Sequence, residues 1–302
     1  MEVPLKIGIA GTGRMGAAVA SRLLNAGHGV TVWNRTREKT KVLASAGASV
    51  AATPADLATQ VEIVITFLAD AAAIDATYHG SSGLLAGEVR GKLFIDMSTV
   101  RPEVEKALAK EVRNKGAALI ECPVGGTVGP AKEGKLFGFV GGDDRDVARA
   151  KSLLDQLCRR VEHVGAIGAG ASRKLAINLP LLVYYQALGE ALSLCRPLGL
   201  DPRRLMDIFA DTSGGPNMLK LRGPVIATAL EGKETTPVTF DIDLIRKDLR
   251  TMQDEAKALG VTLPVSSCAL ECYDDIAREG LGSSDSTMLP AHWLRRGSVT
   301  RP

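Results

Sequence analysis

The feature that most constrains this chain is a glycine-rich turn with the sequence Gly11-Thr12-Gly13-Arg14-Met15-Gly16. An apolar run, Lys6–Ala10, leads into the turn, and a helical pattern starts at its end. In this setting Gly11 permits a tight turn, Gly13 lets the backbone approach a pyrophosphate, and Gly16 lets the helix pack against the strand. The helix N-terminus adds amide donors and a positive dipole. We therefore expect a dinucleotide at this turn, with a plain structural turn as the alternative.

Apolar runs and helical patterns alternate over the first half of the chain. The runs that predict strands are Lys6–Ala10, Gly29–Trp33, Ser49–Ala51, Ile63–Phe67, Leu93–Asp96, Ala118–Cys122, Leu136–Val140 and Val161–Val164. The patterns that predict helices are Met15–Ala26, Lys39–Ala46, Pro54–Thr59 and Glu103–Lys115. Repeated alternation is typical of an α/β fold, here an N-terminal Rossmann domain with a doubly wound parallel sheet.

Helical periodicity replaces this alternation in the second half of the chain. It covers Ala171–Leu198, Pro202–Ala210, Leu219–Thr228, Leu244–Leu259 and Pro264–Glu279. The sequence therefore predicts a dinucleotide-binding Rossmann domain over residues 1–164 and an all-helical substrate and oligomerisation domain over residues 165–302. We expect a hinge at Gly165–Gly170. The tail from Gly280 is rich in serine, glycine and arginine, and we expect it to be loosely held.

The composition argues against several classes of protein. With 45% hydrophobic and 24% charged residues the chain has an ordinary globular balance. A net charge of +3 and 4% aromatic residues give no reason to expect nucleic acid. The five cysteines show no framework or metal-site spacing, so we expect reduced thiols in a cytoplasmic protein and no metal. The longest apolar stretch, Leu175–Leu194, contains polar residues and predicts a buried helix rather than a membrane span.

The end of the second predicted strand bears on the choice between NAD and NADP. NAD-preferring sites usually place Asp or Glu there to bind the ribose hydroxyls, and such a carboxylate repels a 2′-phosphate. Here Asn34, Arg35 and Thr36 offer neutral and cationic donors, and Arg14 can reach the same corner. The sequence therefore favours NADP over NAD, with a solvated basic turn as the alternative.

Lys174 and Asn178 lie four residues apart, on one face of the long predicted helix. Because they follow the hinge closely, we expect them to face a cleft between the domains, at the sheet edge where doubly wound folds bind ligands. A lysine in an otherwise apolar helix resists desolvation, and this favours proton transfer. A snorkelling lysine paired with a carboxylate fits the same spacing, so spacing alone leaves the role open.

Five segments together resemble the β-hydroxyacid dehydrogenase family, of the 3-hydroxyisobutyrate dehydrogenase and tartronate semialdehyde reductase type. They span nearly the whole chain: Gly11–Gly16, Asp96–Thr99, Glu121–Thr127, Gly168–Gly170 followed by Lys174 and Asn178, and Lys247–Leu249. The resemblance implies an oxidoreductase that moves hydride between the nicotinamide of NADP and a small β-hydroxy acid or its aldehyde.

The resemblance also implies roles for individual residues. The family's catalytic lysine falls on Lys174, which would donate the proton to the carbonyl oxygen during reduction, while Asn178 would bind the substrate or the lysine. Further cofactor contacts are implied at Leu68, Ala69, Ala73, Thr99 and Lys247. Substrate contacts are expected at Ser98, Gly125, Gly126, Thr127, Lys174 and Asn178. For Lys247 an exposed helix lysine is the alternative. For Thr99 the alternative is a role as the N-cap of the helix that begins near Pro102, and Ser98 is a second candidate for that N-cap.

The chain departs from the family pattern in the substrate loop. That loop commonly reads Asp-Ala-Pro-Val-Ser-Gly-Gly, whereas here Glu121 replaces the aspartate, Gly125 the serine and Thr127 the final glycine. The serine hydroxyl would normally help to hold the substrate carboxylate, so Thr127 and the amides of Gly125 and Gly126 are the expected replacements. Pro180 stands inside the long helix and is expected to kink it. An unusual aldehyde, a larger acid and an imine all stay open as substrates.

Two other functions are compatible with the same architecture. Imine reductases usually carry a residue other than lysine at the position of Lys174. Non-catalytic NADP-binding interaction modules tend to lose the lysine and to append basic or reader domains, which this sequence does not show. The long apolar helix exposes more surface than one small domain covers, so we expect a homodimer or homotetramer.

Overall fold

The structure is a computed structural model and describes residues 4–296. Nine strands form a single sheet in this part of the chain. The strands are β1 (Lys6–Ala10), β2 (Gly29–Trp33), β3 (Ser49–Val50), β4 (Ile63–Thr66), β5 (Leu93–Asp96), β6 (Ala118–Glu121), β7 (Val124–Gly125), β8 (Leu136–Gly141) and β9 (Cys158–Gly165). The chain divides into two units, Met1–Ala176 and Ile177–Pro302, and the whole sheet belongs to the first. The domain boundary at residues 164 and 165 stays a prediction.

The strand order is that of a Rossmann fold with an extension. Across the sheet the order is β3-β2-β1-β4-β5-β6-β8-β7, and β9 pairs with β8. The strands from β3 to β6 are all parallel, in the 3-2-1-4-5-6 order. Beyond them β8 runs antiparallel to β6 and β7 and parallel to β9. The predicted parallel Rossmann sheet is confirmed, and the antiparallel pairs are confined to this extension.

Helices connect the strands and then make up the rest of the chain. Those before the long helix are α1 (Arg14–Asn25), α2 (Lys41–Ser45), α3 (Pro54–Gln60), α4 (Ala71–Tyr78), α5 (Pro102–Asn114), α6 (Val128–Glu133) and α7 (Asp144–Leu157). The later helices are α8 (Ala169–Cys195), α9 (Pro202–Ala210), α10 (Asn217–Leu230), α11 (Ile242–Ala258), α12 (Pro264–Ile276) and α13 (Leu289–Arg296). No strand follows β9 in the described residues, so the helical second half is confirmed. Helix α8 continues through Pro180, and a kink there stays a prediction.

Alternate residues of the central strands point to opposite faces of the sheet. Ile9 and Ile65 belong to one hydrophobic core, which α1 and α7 complete. Val64 and Phe94 belong to a second core, which α3, α4 and α5 complete. Because helices cover both faces, the strands are buried on both sides, as in a doubly wound fold. This arrangement leaves the carboxyl ends of the parallel strands along one edge of the sheet.

Four helices and one short strand were not predicted: α4, α6, α7, α13 and β7. The signals for two of them are present in the sequence. Helix α7 buries Ala150, Leu153, Leu154 and Leu157, which have the spacing of an amphipathic helix face. Helix α4 begins after an N-cap, Asp70, whose carboxylate accepts the amide of the third helical residue.

The long helix α8 satisfies the length and composition of a membrane span, the single helix that does so between residues 4 and 296. A core helix of a soluble protein satisfies the same test. The contacts of α8 within the second unit are those of a packed helix. Gln186 accepts a hydrogen bond from the Trp293 indole at 2.7 Å, and the Leu182 carbonyl accepts one from the Tyr273 hydroxyl at 2.8 Å. Gly189 packs so closely that an added Cβ would lie 2.2 Å from the Trp293 ring.

The C-terminal segment is held by a buried aspartate, Asp285. Its carboxylate accepts hydrogen bonds from the Thr239 amide at 2.7 Å and the Thr287 amide at 3.1 Å, and the Arg222 guanidinium lies 3.5 Å away. Although burial opposes it, these amides and the arginine lower the pKa of Asp285. Asp285 therefore stabilises the fold in its ionised form.

The expected loose tail from Gly280 is therefore wrong for the segment that ends at Arg296. Helix α13 closes this segment, and Leu289 and Ala291 at its start are buried. The part of that expectation that concerns residues 297–302 lies outside the described residues. The composition of this segment predicted a loose tail, because composition carries no information about hydrogen bonds between Asp285 and residues distant in sequence.

Replacing Asp285 with asparagine is expected to lower the free energy of unfolding at pH 7 by about 2–4 kcal/mol, because the buried amides and Arg222 lose their anionic acceptor. The deficit should shrink as the pH falls below about 4, because the carboxylate of the unfolded wild-type chain then takes up a proton and, at still lower pH, that of the folded protein does too. Urea denaturation at pH 7 and pH 3.5 measures both effects. The control, Asp254→Asn on the exposed side of α11, should change stability by less than about 0.5 kcal/mol. Equal effects of the two substitutions would contradict the anchoring role.

Candidate active site

The glycine turn has the geometry that its sequence predicts. Gly11 adopts a φ of +97°, and a Cβ there would lie 2.2 Å from the Phe67 carbonyl oxygen. A Cβ on Gly16 would lie 1.9 Å from the Gly11 carbonyl oxygen. Gly13, by contrast, has ordinary dihedral angles, and no described atom lies within 4 Å of its added Cβ. Gly11 and Gly16 are therefore required by the backbone, whereas Gly13 keeps a space open above the turn.

This open space fits a pyrophosphate. Gly13 is the N-cap of α1 and offers no side chain to accept the first amides of the helix. The buried Thr12 hydroxyl has no hydrogen-bond partner among the described residues. Uncapped amides, an unpartnered hydroxyl and the positive end of a helix dipole together favour an anionic group. Residues Thr12 to Gly16 thus fit the dinucleotide that the sequence predicts.

Asn34 connects the turn to the end of β2. Its side-chain oxygen accepts the Thr12 amide at 2.9 Å, and its side-chain nitrogen donates to the Thr36 carbonyl at 3.0 Å. Arg35 and Thr36 follow and are exposed, as is Arg14 on the first turn of α1. The cationic and hydroxyl groups predicted to bind a 2′-phosphate are therefore accessible.

A buried aspartate organises the ends of β4 and β5. Asp96 accepts hydrogen bonds from the Thr66 hydroxyl and, at 2.8 Å, from the Ser98 amide. The Ser98 hydroxyl in turn accepts the Leu68 amide at 2.9 Å. This chain of bonds fixes the loop after β4, where Leu68 and Ala69 are predicted to line the cofactor. Ser98 is buried and already bonded, so the structure shows it as a brace for this loop, and its predicted contact with substrate stays a prediction.

Other predicted cofactor residues surround this loop. Thr99 is partly exposed directly after Ser98, and the Ala73 amide donates to the N-cap Asp70 at 2.8 Å. The alternative role of Thr99 or Ser98 as an N-cap is wrong, because α5 starts at Pro102 and its N-cap position is Arg101. Thr99 lies two positions before Arg101 and Ser98 three, so neither side chain can occupy the N-cap position.

The loop that the sequence predicts to bind substrate lies on and after β7. Gly125 and Thr127 are partly exposed, and Gly126 has a φ of +122°, so Gly126 must be glycine or be strained. Gly125 is different. An added Cβ there would meet the Phe137 and Phe139 side chains at 3.6 and 3.7 Å, which is ordinary contact distance. The backbone therefore has room for a side chain at the position where the family pattern has serine.

Three buried carboxyl groups lie behind these loops: Asp96, Glu105 and Glu121. Asp96 and Glu121 end neighbouring strands and are partners in the sheet register. Burial raises the pKa of all three, and the charges of the other two raise that of Glu105 further. For Glu121 the result is a pKa of about 7, lower than burial alone would give because three backbone amides donate to it. In the sequence Glu121 is visible only as a departure from the family pattern, and nothing there indicates its bonding partners.

Those three amides belong to the start of α8. Glu121 accepts hydrogen bonds from the amides of Gly168 at 2.5 Å, Gly170 at 2.9 Å and Ala171 at 3.0 Å. Lys174 follows within the next turn of the same helix and is only 9% exposed. The lysine thus stands at the start of a helix whose first turn is bonded to the sheet.

The second unit contains a separate polar cluster of Asn178, Asp248 and Lys247. Asp248 is 4% exposed, and its carboxylate lies 2.7 Å from the Lys247 ammonium and 3.4 Å from the Asn178 amide nitrogen. Asn178 and Lys247 were predicted, and Asp248 was missed although it adjoins Lys247 in sequence. A single acidic residue on a helix gives no local signal of a bond to a residue 70 positions away. Between residues 4 and 296 no group of three or more metal-binding side chains occurs.

Comparison with protein families assigns both halves of the chain. Residues 6–165 match the NAD-binding domain of 6-phosphogluconate dehydrogenase. Residues 168–292 match the NAD-binding domain of NADP-dependent 3-hydroxyisobutyrate dehydrogenase. A relative named mitochondrial 3-hydroxyisobutyrate dehydrogenase, from Drosophila melanogaster, is 31% identical over 94% of this chain and 87% of its own length. The chain belongs to the β-hydroxyacid dehydrogenase family.

Other known proteins are also similar to this chain. Chloroplastic glyoxylate/succinic semialdehyde reductase 2 of Arabidopsis thaliana is 30% identical over 93% of this chain and 77% of its own length. The solved structure of Psf3 in complex with NADP+ and 2-OPP has a TM-score of 0.84 and 28% identity, and covers 97% of this chain and 100% of the other. A reductive aminase from Aspergillus terreus, 23% identical with a TM-score of 0.64, shares the fold. The chain is thus an NAD(P)-dependent oxidoreductase of the hydroxyacid type.

Two glycine substitutions should separate binding of the cofactor from folding in this dehydrogenase. Gly13→Ala places a methyl group in the open space above the turn. We expect at least a tenfold loss of NAD(P)H affinity, about 1.4 kcal/mol, with less than about 1 kcal/mol lost from stability. Gly16→Ala places a methyl group against the Gly11 carbonyl, so it should lower both the NAD(P)H affinity and the stability of the fold. Calorimetric titration with NADPH and NADH, together with thermal unfolding, measures these effects.

The control for this pair is Gly129→Ala on α6, where an added Cβ also meets no described atom within 4 Å. It should preserve both affinity and stability. If Gly13→Ala bound the cofactor as tightly as the wild type, the pyrophosphate would not lie over this turn.

Proposed function

We propose that the chain catalyses NADP-dependent hydride transfer between the nicotinamide and a small β-hydroxy acid or its semialdehyde, with Lys174 as the proton donor and acceptor. The observation that carries this proposal is a buried lysine, Lys174, in the first turns of α8. Lysine side chains are seldom buried to this extent, and the resemblance to the family implies its catalytic lysine at this position. A relative that matches nearly the whole chain is named for a β-hydroxy acid and another for small aldehydes, which supports this substrate class.

The chain's residues have distinct tasks in this proposal. The bound NADPH supplies the hydride. Thr12 and the amides that follow Gly13 hold the pyrophosphate. Lys174 gives its proton to the carbonyl oxygen during reduction and takes it back during oxidation, so it works best at a pH where both forms are available. Asn178, oriented by Asp248, donates a hydrogen bond that fixes the substrate or the lysine.

The substrate carboxylate would be bound by the loop after β7. The serine hydroxyl of the family pattern is missing at Gly125, so we assign this contact to the Thr127 hydroxyl and the amides of Gly125 and Gly126. Since Gly125 has room for a side chain, the missing hydroxyl leaves space beside the carboxylate. This space favours a β-hydroxy acid that is bulkier than those accepted by a serine-containing loop.

The choice of NADP rests on the end of β2. A neutral Asn34 stands where an acidic residue would repel a 2′-phosphate, and Arg35 and Thr36 are exposed beside it. The similarity to a protein solved with NADP+ supports the same choice. We also propose a homodimer or homotetramer, because Leu194 and Leu221 of the helical unit are largely exposed apolar side chains.

Replacing Lys174 with alanine is expected to lower kcat by about 10²-fold or more, because the carbonyl oxygen loses its proton donor. The dissociation constant of NADPH should change less than about threefold, since the cofactor contacts lie elsewhere. Steady-state kinetics with 3-hydroxyisobutyrate, tartronate semialdehyde, succinic semialdehyde and glyoxylate, together with NADPH titration, test this. Lys151→Ala, on the exposed side of α7, is the matched control and should keep full activity. Undiminished turnover in Lys174→Ala would refute the assignment.

Removing the Arg35 side chain should weaken NADPH binding by about tenfold and leave NADH binding unchanged, because only NADPH carries the 2′-phosphate. Fluorescence titration of Arg35→Ala with the two cofactors measures the ratio. Arg145→Ala, an exposed arginine on α7, controls for the loss of one positive charge. A parallel loss of affinity for both cofactors would argue against a phosphate contact at Arg35.

A further inference from the structure

We propose that Glu121 is a positioning residue for this reaction: its carboxylate fixes the first turn of α8 and thereby places Lys174. The inference rests on the proposed role of Lys174, and it adds a group that touches neither substrate nor cofactor. It is carried by three hydrogen bonds across the sheet–helix junction and by the glycines that leave room for them.

The contacts of Glu121 are those of an anionic helix cap supplied by a neighbouring strand. One carboxylate oxygen accepts the amides of Gly168 and Gly170, and the other accepts the amide of Ala171. These amides belong to the residues at the start of α8, which no earlier turn of the helix can satisfy. A negative charge at this end is also favourable to the helix dipole. Helix α8 is therefore attached to the end of β6 through one side chain.

The backbone around Glu121 is shaped for a carboxylate of this length. A Cβ on Gly141 would lie 2.2 Å from a Glu121 oxygen, and a Cβ on Gly170 would lie 3.2 Å from the Glu121 carboxyl carbon. Gly168 adopts a φ of +97°, which turns its amide towards the same oxygen. Gly141 and Gly170 thus leave the space that the carboxylate fills, while Gly168 supplies one of the amides that donate to it. A buried carboxylate has an energetic cost, and we expect that cost to be retained where the position of α8 matters for the reaction.

Lys174 is the third residue after Ala171, so less than one helical turn separates it from the last of the three bonds. A helix is stiff over this distance, and displacement of its first turn moves the lysine with it. Since proton transfer needs the amine within hydrogen-bond distance of the reacting oxygen, a shift of about 1 Å is enough to lower turnover strongly. The binding of the cofactor, by contrast, depends on the turn after β1.

The charge of Glu121 also gives a measurable signature. Burial raises the pKa of Glu121 to about 7, and a protonated carboxyl group loses acceptor capacity where three amides converge. The groups around it that titrate or carry charge are Asp96 on β5, Glu105 and Lys106 on α5, and Cys122 after β6. His163 on β9 must be added, because its ring bonds to the Gly142 and Gly165 carbonyls beside this site.

The test uses the reduction direction, in which loss of the Lys174 proton gives only an alkaline limb. In the wild type we expect an additional acid limb of kcat with a midpoint near pH 7, as Glu121 takes up a proton. Glu121→Gln should lower kcat at pH 8 by about tenfold or more, change the NADPH dissociation constant less than about threefold, and abolish this acid limb.

Two control variants test whether the acid limb of kcat comes from Glu121. His163→Gln removes the neighbouring imidazole and should keep the limb. Glu105→Gln keeps a neutral donor towards Asp96 and should keep both kcat and the limb. If Glu121→Gln folds poorly, Glu121→Asp takes its place: the shorter carboxylate should lower kcat with unchanged NADPH affinity and retain the acid limb.

The proposal is overturned if Glu121→Gln, or in its place Glu121→Asp, turns over like the wild type, or if its losses in kcat and NADPH affinity are equal. Persistence of the acid limb in Glu121→Gln overturns it as well. Failure of the proposed function would look different, because Lys174→Ala would then remain active. Full activity of Glu121→Gln beside an inactive Lys174→Ala would remove the positioning role alone.

Discussion

A buried carboxylate at the end of β6 is the contact on which the candidate site depends most. Glu121 accepts three amides from the start of α8 and so connects the Rossmann sheet to the helix that carries Lys174. On the neighbouring strand Asp96 performs a related task, because through Ser98 it fixes the loop that follows β4. Both acids end parallel strands at the edge where the fold binds ligands. The same edge therefore supplies the loops of the site and holds them in place.

These buried acids carry a cost that the fold has to offset. Burial raises the pKa of Asp96, Glu105 and Glu121, so their ionised forms are less stable in the folded protein than in water. The amides and hydroxyls that donate to Asp96 and Glu121 offset part of this cost. Polar groups that are retained inside a core at such expense are often found at functional sites. Their placement behind the predicted cofactor and substrate loops agrees with that rule.

Much of the fold and part of the site could be predicted because the signals are local. The roles of Gly11 and Gly16 follow from a few neighbouring residues, and strand–helix alternation is sufficient for the Rossmann sheet. The contacts that were missed join distant positions: Glu121 bonds to Gly168, and Asn178 bonds to Asp248. No periodicity or short motif records which amide a buried acid will meet. The alternative role of Thr99 or Ser98 as an N-cap was wrong for a related reason, since the residue type was suitable but the loop length was not.

The central claim is that this β-hydroxyacid dehydrogenase moves hydride between a nicotinamide and a small carbonyl compound. The most direct measurement is to supply NADPH deuterated at C4, in each stereochemical form, with the semialdehydes and glyoxylate, and to analyse the products by mass spectrometry. The account predicts one deuterium on the former carbonyl carbon from one form alone, and none from the other. Oxidation of the cofactor without deuterium in any product, or tight binding of NADPH without turnover of any of these compounds, would contradict it.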